Sequence, residues 1–180
     1  MGVTHCYTWI QKEQATVKYL TALRKKLNKH GLTLWNVGCL AIGKNKDIIL
    51  GTDNRDNAIN EFKKFLGVLK KSGIDITIFT WEPASAMQTG FNLIRGNASG
   101  RYCDTGILRS LPDHFGRAYT EEELWANMKY FLDAILPTAE KLGVRLALHP
   151  NDPPSELSFR GIPNLIRSQK CFDKVFKLAN

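Results

Sequence analysis

His149 ends an apolar run, VRLAL, and is followed by the polar, proline-rich turn PNDPP. An imidazole at a strand end can ligate a metal, move a proton, or simply be satisfied by a backbone carbonyl. Pro153 and Pro154 stiffen the turn just beyond it. Asp152, in that turn, can accept a hydrogen bond from the ring or from a substrate hydroxyl, or act only as a turn former. Arg95 lies among small residues in IRGNASGR. A guanidinium held there suits bidentate capture of a carboxylate, and equally a solvated loop. Trp81 and Glu82 close the run IDITIFTWEP. The indole can wall a sugar site or close a core layer, and the carboxylate can serve as base or ligand. No GxSxG elbow is present, so a Ser/His/Asp triad has no support. His5, His30 and His114 have no partners at ligand spacing. The four cysteines lie far apart with no CxxC pair, which argues against a structural zinc site. Cys6 and Cys39 fall in strand-like runs and read as small core hydrophobes.

These residues must be positioned by a repeated unit. Lys29-His30-Gly31 precedes LTLWNVG, Lys71-Ser72-Gly73 precedes IDITIFTW, and Lys141-Leu142-Gly143 precedes VRLALHP. Each is a basic last helical turn, a glycine suited to the left-handed cap, and a short apolar strand. Helices before them are predicted from the spacing of Val17, Leu20, Leu23 and Leu27, then of Ile59, Phe62, Leu66 and Leu69. Asp53 or Asp56 should cap the second. Thr120 followed by Glu121, Glu122 and Glu123 should open the third with a capping box; its stripe is Leu124, Phe131, Ile135 and Leu142, and Pro137 should kink it. VTHCYTW makes a first strand, and Ser168 should cap a last helix running to near Leu178. Alternating strands and helices demand a parallel sheet, either open and doubly wound or part of a (β/α)8 barrel. No GxGxxG or GxxxxGK[ST] follows a strand, so a nucleotide site has no support. In both architectures chemistry collects at the carboxyl ends of the strands, where His149, Trp81 and Glu82 fall. The stretch from Glu82 to Tyr119 is too long for an ordinary connection and reads as a lid or a substrate-binding loop.

At 180 residues the chain fits one domain, 1–180, and 43% hydrophobic with 23% charged residues is ordinary for a globular protein. No apolar run reaches the ~18 residues of a membrane helix. The opening MGVTHCYTWI has no signal-peptide pattern, so the cytoplasm is the expected compartment. All of the +8 net charge sits in residues 1–73, with 13 Lys+Arg against 5 Asp+Glu. Those lysines fall in helices and without interleaved aromatics, which favours solvated outer faces over nucleic-acid binding.

From Thr120 to Pro154 the sequence resembles the mannonate dehydratase family, which has an acidic helix start, a proline before the helix end and a strand ending in His-Pro-Asp-Asp-Pro-Pro. Here that signature reads His149-Pro150-Asn151-Asp152-Pro153-Pro154, with Asn151 where Asp is usual. GIPNLIRSQKCFDKVF is similar to the family's Gly-x-Pro-Arg-Ile-Val segment, with Asn164 in place of Arg. Arg95-Gly96-Asn97-Ala98 is similar to its Arg-Gly-Gly-Ala loop, and GTDNRDNAINEFKKFLGVLKKSGI and FTWEP also look like the family.

The resemblance implies a partial (β/α)8 TIM barrel of the xylose-isomerase-like type, with about four βα units and parallel strands. It implies a lyase that dehydrates D-mannonate to 2-keto-3-deoxy-D-gluconate in hexuronate breakdown, using Mn2+ or Fe2+. His149 would be a metal ligand, and Arg95, Trp81, Asn151 and Asp152 would bind substrate. A whole barrel needs ~200–250 residues. The chain is therefore expected to start after the family's first unit and to stop after the one following His149. The family's acid/base residues and remaining ligands would lie beyond it. Alone it should bind Mn2+ weakly and not turn over mannonate. A complementing fragment or a second copy would be needed to close the sheet edges. The competing readings are a sugar isomerase or epimerase of the same barrel type, and a non-catalytic basic fragment binding an anionic partner.

Overall fold

A computed structural model describes residues 2–84 and 87–179. The elements run β1 (His5–Ile10), α1 (Val17–Asn28), β2 (Thr33–Cys39), α2 (Leu40–Gly43), α3 (Lys46–Leu50), α4 (Arg55–Lys71) and β3 (Ile76–Thr80). There follow β4 (Gly90–Leu93), β5 (Ser99–Tyr102), α5 (Thr105–Ser110), α6 (Glu121–Leu142), β6 (Arg145–His149) and α7 (Gln169–Leu178). The four expected strands and four expected helices are present. The additions, α2, α3, α5 and the antiparallel pair β4–β5, are four to six residues long, too short for a hydrophobic period to repeat. The long insertion is thus a hairpin and a short helix; its Ser85 and Ala86 lie outside the described residues.

The three helix–glycine–strand junctions close in the same way. Leu32 N–H donates to Leu27 carbonyl (3.1 Å), Ile74 to Leu69 (3.0 Å) and Val144 to Ala139 (2.9 Å). Inside each, the glycine N–H donates back to Asn28, Lys70 or Glu140. Gly31, Gly73 and Gly143 have φ of 71°, 69° and 64°, where a side chain would be strained. This paired pattern ends a helix and aims the chain into the next strand.

Helix starts follow expectation with two corrections, the first being that Ser168 precedes α7 but makes no side-chain cap bond, its Oγ lying 3.2 Å from Cys171 Sγ. Glu123 N–H donates to Thr120 Oγ1 (3.1 Å) and Thr120 N–H to Glu123 Oε2 (2.7 Å), a complete capping box for α6. Pro137 lies within α6, which continues to Leu142. The residue before α4 is Asn54, not Asp53 or Asp56, and it makes no side-chain cap bond. Its amide instead donates to Asp47 Oδ2 (3.0 Å), while Thr52 donates to Oδ1 (2.9 Å). The Asn54 bond, then the Thr52 bond, hold the Asp47 carboxyl below its usual range. Asp56 sits in the first turn of α4 and accepts from the Tyr130 hydroxyl at 2.8 Å.

β1 pairs parallel with β2, and β3 parallel with β6. Among the described residues no backbone ladder joins β2 to β3; Thr77 Oγ1 bridges them by donating to the Val37 carbonyl at 2.8 Å. Helices α4 and α6 pack side by side over the sheet. Phe131 of α6 is the hinge of this core, with ring centroids 5.4 Å from Phe62, 5.5 Å from Phe79 and 5.8 Å from Trp81. Cys39 is buried and Cys6 half-buried. Lys25, Lys26, Lys29, Lys64, Lys70 and Lys71 are exposed, as outer-face lysines should be, with Lys63 half-buried. No helix among the described residues is long and apolar enough to cross a membrane.

Candidate functional site

The carboxyl ends of the four parallel strands meet around an open cleft of about 360 Å3. Trp9 is next to last in β1, Leu40 follows β2, Thr80 ends β3 and His149 ends β6. Lys44, Glu82, Asp152 and Arg101 complete the lining.

His149 is half-buried, with Nδ1 2.6 Å from the Pro150 carbonyl oxygen. A carbonyl only accepts, so Nδ1 carries the proton and Nε2 is the nitrogen left for a metal or a substrate proton. The turn beyond it is held at two points. Asn151 is buried: its Oδ1 accepts from Ile166 N–H (2.5 Å), its Nδ2 donates to the Trp81 carbonyl (3.4 Å), and its own N–H donates to the Ile166 carbonyl (2.8 Å). Asp152 N–H donates to Glu82 Oε1.

Glu82 is also ion-paired with Lys44 at 2.9 Å, the two side chains only 12% and 15% exposed. Lys44 reaches it because α2 lies directly on β3: a Cβ on Gly43 would stand 2.7 Å from the Ile78 carbonyl oxygen. The Asp152 carboxylate is 3.2 Å from Arg101 Nη2, a pair about half exposed and therefore weak. Two carboxylates, Glu82 and Asp152, thus lie between the cations Lys44 and Arg101. Such an arrangement can hold a polar, anionic ligand against strand ends without isolating any one charge.

Of the residues singled out from sequence, His149, Glu82 and Asp152 come together here. Asn151 lines only a small adjoining cavity with Glu82 and Asn164. Trp81 corrects an expectation. It is 1% exposed, packed on Phe131, and does not wall the cleft. Arg95 sits exposed in the turn between β4 and β5. In that turn Asn97 takes φ 58°, so the departure from glycine keeps a left-handed backbone that asparagine tolerates. Thr80, Lys44 and Arg101 were not singled out from sequence. Their only advance signal was position, just past a strand or inside the long insertion.

Among the described residues no group of three His, Cys, Asp or Glu could hold a metal ion. Glu82 is engaged by Lys44 and by the Asp152 N–H, which leaves His149 Nε2 and the half-exposed Asp152 carboxylate as the open donors of this set. The cleft residues therefore do not make a divalent-metal site by themselves.

Residues 92–180 match the family model of D-mannonate dehydratase (UxuA). Mannonate dehydratase 2 of Halalkalibacterium halodurans is 28% identical over 88% of this chain and 52% of its own length. Mannonate dehydratase of Streptococcus equi subsp. zooepidemicus is 26% identical over 87% of this chain and 49% of its own. The crystal structure of mannonate dehydratase from Streptococcus suis serotype 2 superposes with a TM-score of 0.82 and 25% identity, covering 98% of this chain and 54% of that one. D-psicose 3-epimerase from Clostridium cellulolyticum H10, at TM-score 0.60 and 16% identity, shares the fold. The chain spans about half the length of the curated relatives it matches. Its architecture is a partial TIM barrel of the xylose-isomerase-like type, and in sequence and structure it is similar to mannonate dehydratases.

Proposed function

We propose that this chain supplies one half of the catalytic barrel of a D-mannonate hydro-lyase, which converts D-mannonate to 2-keto-3-deoxy-D-gluconate and water. The observation that carries the reading is His149. Its tautomer is fixed by Pro150, its turn is tied down by Asn151 and Glu82, and it stands where four strand ends meet. The likeness to mannonate dehydratases over nearly the whole chain supports D-mannonate as the substrate. Dehydration beside a carboxylate builds negative charge on that carboxylate, and a cation placed against it lowers its energy. Mn2+ or Fe2+ is the proposed metal and His149 its ligand in this chain. The described residues do not complete its shell, and no step is assigned to it. Asp152 is proposed to accept a hydrogen bond from a substrate hydroxyl.

The proposed partner is a complementing half-barrel, supplied by further chain or a second copy. The paired sheets leave β1 and β6 each with one open edge. An open apolar groove also runs beside β6, lined by Phe79, Leu132, Leu146, Phe172 and Phe176. The proposed setting is the cytoplasm, supported by four cysteines that are all free thiols.

The test is keto-acid formation from D-mannonate with Mn2+, by the chain alone and mixed with the remaining half of the Streptococcus suis relative. The expected result is no turnover alone, turnover in the mixture, and its loss in His149→Ala. Ketose epimerisation without keto-acid formation, or turnover indifferent to His149→Ala, would contradict the proposal.

A further inference from the structure

The two cations of the cleft are held differently. Lys44 is committed, its ammonium 2.9 Å from Glu82 in a largely buried pair. Arg101 is not. Among the described residues its one partner is Asp152, through a single hydrogen bond from Nη2 at 3.2 Å. A guanidinium carries five N–H donors in a planar fork, so the rest of the fork is open to a ligand. Arg101 borders the strand-end cleft and two adjoining openings, one beside Met87 and Leu108, the other beside Tyr102 and Cys103. The turn carrying His149 does not depend on Arg101, because Glu82 and Ile166 hold its backbone independently. Arg95, at the exposed hairpin turn, lines none of these openings.

We propose that Arg101 is the carboxylate-binding residue of the cleft, and that it rather than Arg95 sets a preference for a sugar acid over a neutral sugar. The open fork receives the carboxylate in bidentate fashion. The weak, half-exposed contact with Asp152 yields to it, and Asp152 is released toward the hydroxyls of the same ligand. The sugar-acid part of this inference rests on the mannonate reading; the carboxylate part stands on the geometry alone.

The experiment follows arginine Nε–H signals by NMR while titrating the chain with D-mannonate, neutral D-mannitol and acetate, in wild type, Arg101→Gln, Arg101→Lys and Arg95→Gln. D-Mannonate is expected to shift the Arg101 signal and D-mannitol to leave it in place. Arg101→Gln should weaken D-mannonate by about tenfold or more, since a charge-assisted bidentate pair is lost. Arg101→Lys should fall between, and Arg95→Gln should have a smaller effect than Arg101→Gln. Arg101 is exposed, and circular dichroism of each variant checks that the fold is kept. D-Mannonate binding that ignores Arg101→Gln overturns the inference and leaves the mannonate reading standing. Acetate shifting Arg101 with D-mannonate binding no tighter supports the carboxylate site and overturns the mannonate reading. No shift of Arg101 with either anion overturns the inference.

Discussion

The helix-covered side of the sheet and the insertion between β3 and α6 treat hydrophobic residues in opposite ways. On the first, Leu20, Leu66, Leu69 and Ile135 are completely buried. On the second, Phe91 is 62% exposed and Leu93 is 74% exposed. A two-stranded hairpin is marginal in water by itself. Asp104 N–H to Thr89 Oγ1 (2.8 Å) closes its base, and two polar contacts moor it to the rest of the molecule: Met87 N–H to the Asp152 carbonyl (3.1 Å) and Arg101 to Asp152. Both moorings end on Asp152, three residues from His149. The helical side is held by shape, and the hairpin is held at the candidate site.

That contrast can be broken from either end. Phe131→Ala should be the most damaging change, about 4 kcal/mol by urea unfolding, because three aromatic neighbours lose their packing partner. A loss under about 1 kcal/mol would mean that the core collapses around the gap. Glu82→Gln should follow at about 3 kcal/mol, since Lys44 is left charged and mostly buried. Lys44→Met added to it should recover much of that loss, and a double-mutant cycle measures the coupling. Thr120→Ala should cost about 1 kcal/mol through the lost cap of α6. Leu93→Ser, on the hairpin, should stay within about 0.5 kcal/mol; a larger loss would show that the hairpin is buried against something in solution.

The smallest effect is on pH dependence. The Arg117 guanidinium, then the Thr120 N–H, hold the Glu123 carboxyl below its ordinary range. A depressed folded value means that this contribution is complete above the ordinary Glu value and vanishes as pH falls through the folded one. Thermal scans between about pH 6 and 3 should therefore show wild type losing Tm faster than Glu123→Gln. Parallel slopes would remove Arg117 and the capping box from the acid response.

What was legible in the sequence was local. The three glycine-terminated helices depend on residues five apart, and the Thr120 box on residues three apart, so both could be read directly. The turn after His149 was legible for the same reason. Glu82–Lys44 joins residues 38 apart and Arg101–Asp152 residues 51 apart, and no spacing rule encodes either pair. Trp81 shows the limit most plainly. A strand-end indole suits a sugar wall or a core layer, and only Phe131, arriving on α6, decides for the core. Asn151 replaces an expected acid, and its burial against Ile166 shows a side chain that ties two loops together.

The most direct measurement is hydrogen–deuterium exchange by mass spectrometry with and without D-mannonate and Mn2+. The account predicts slower exchange in peptides covering residues 36–45, 79–84 and 148–153, with α1 and α4 unchanged. Protection of the lysine-bearing outer helices instead would contradict it, and would turn attention to the basic face as the ligand-binding surface.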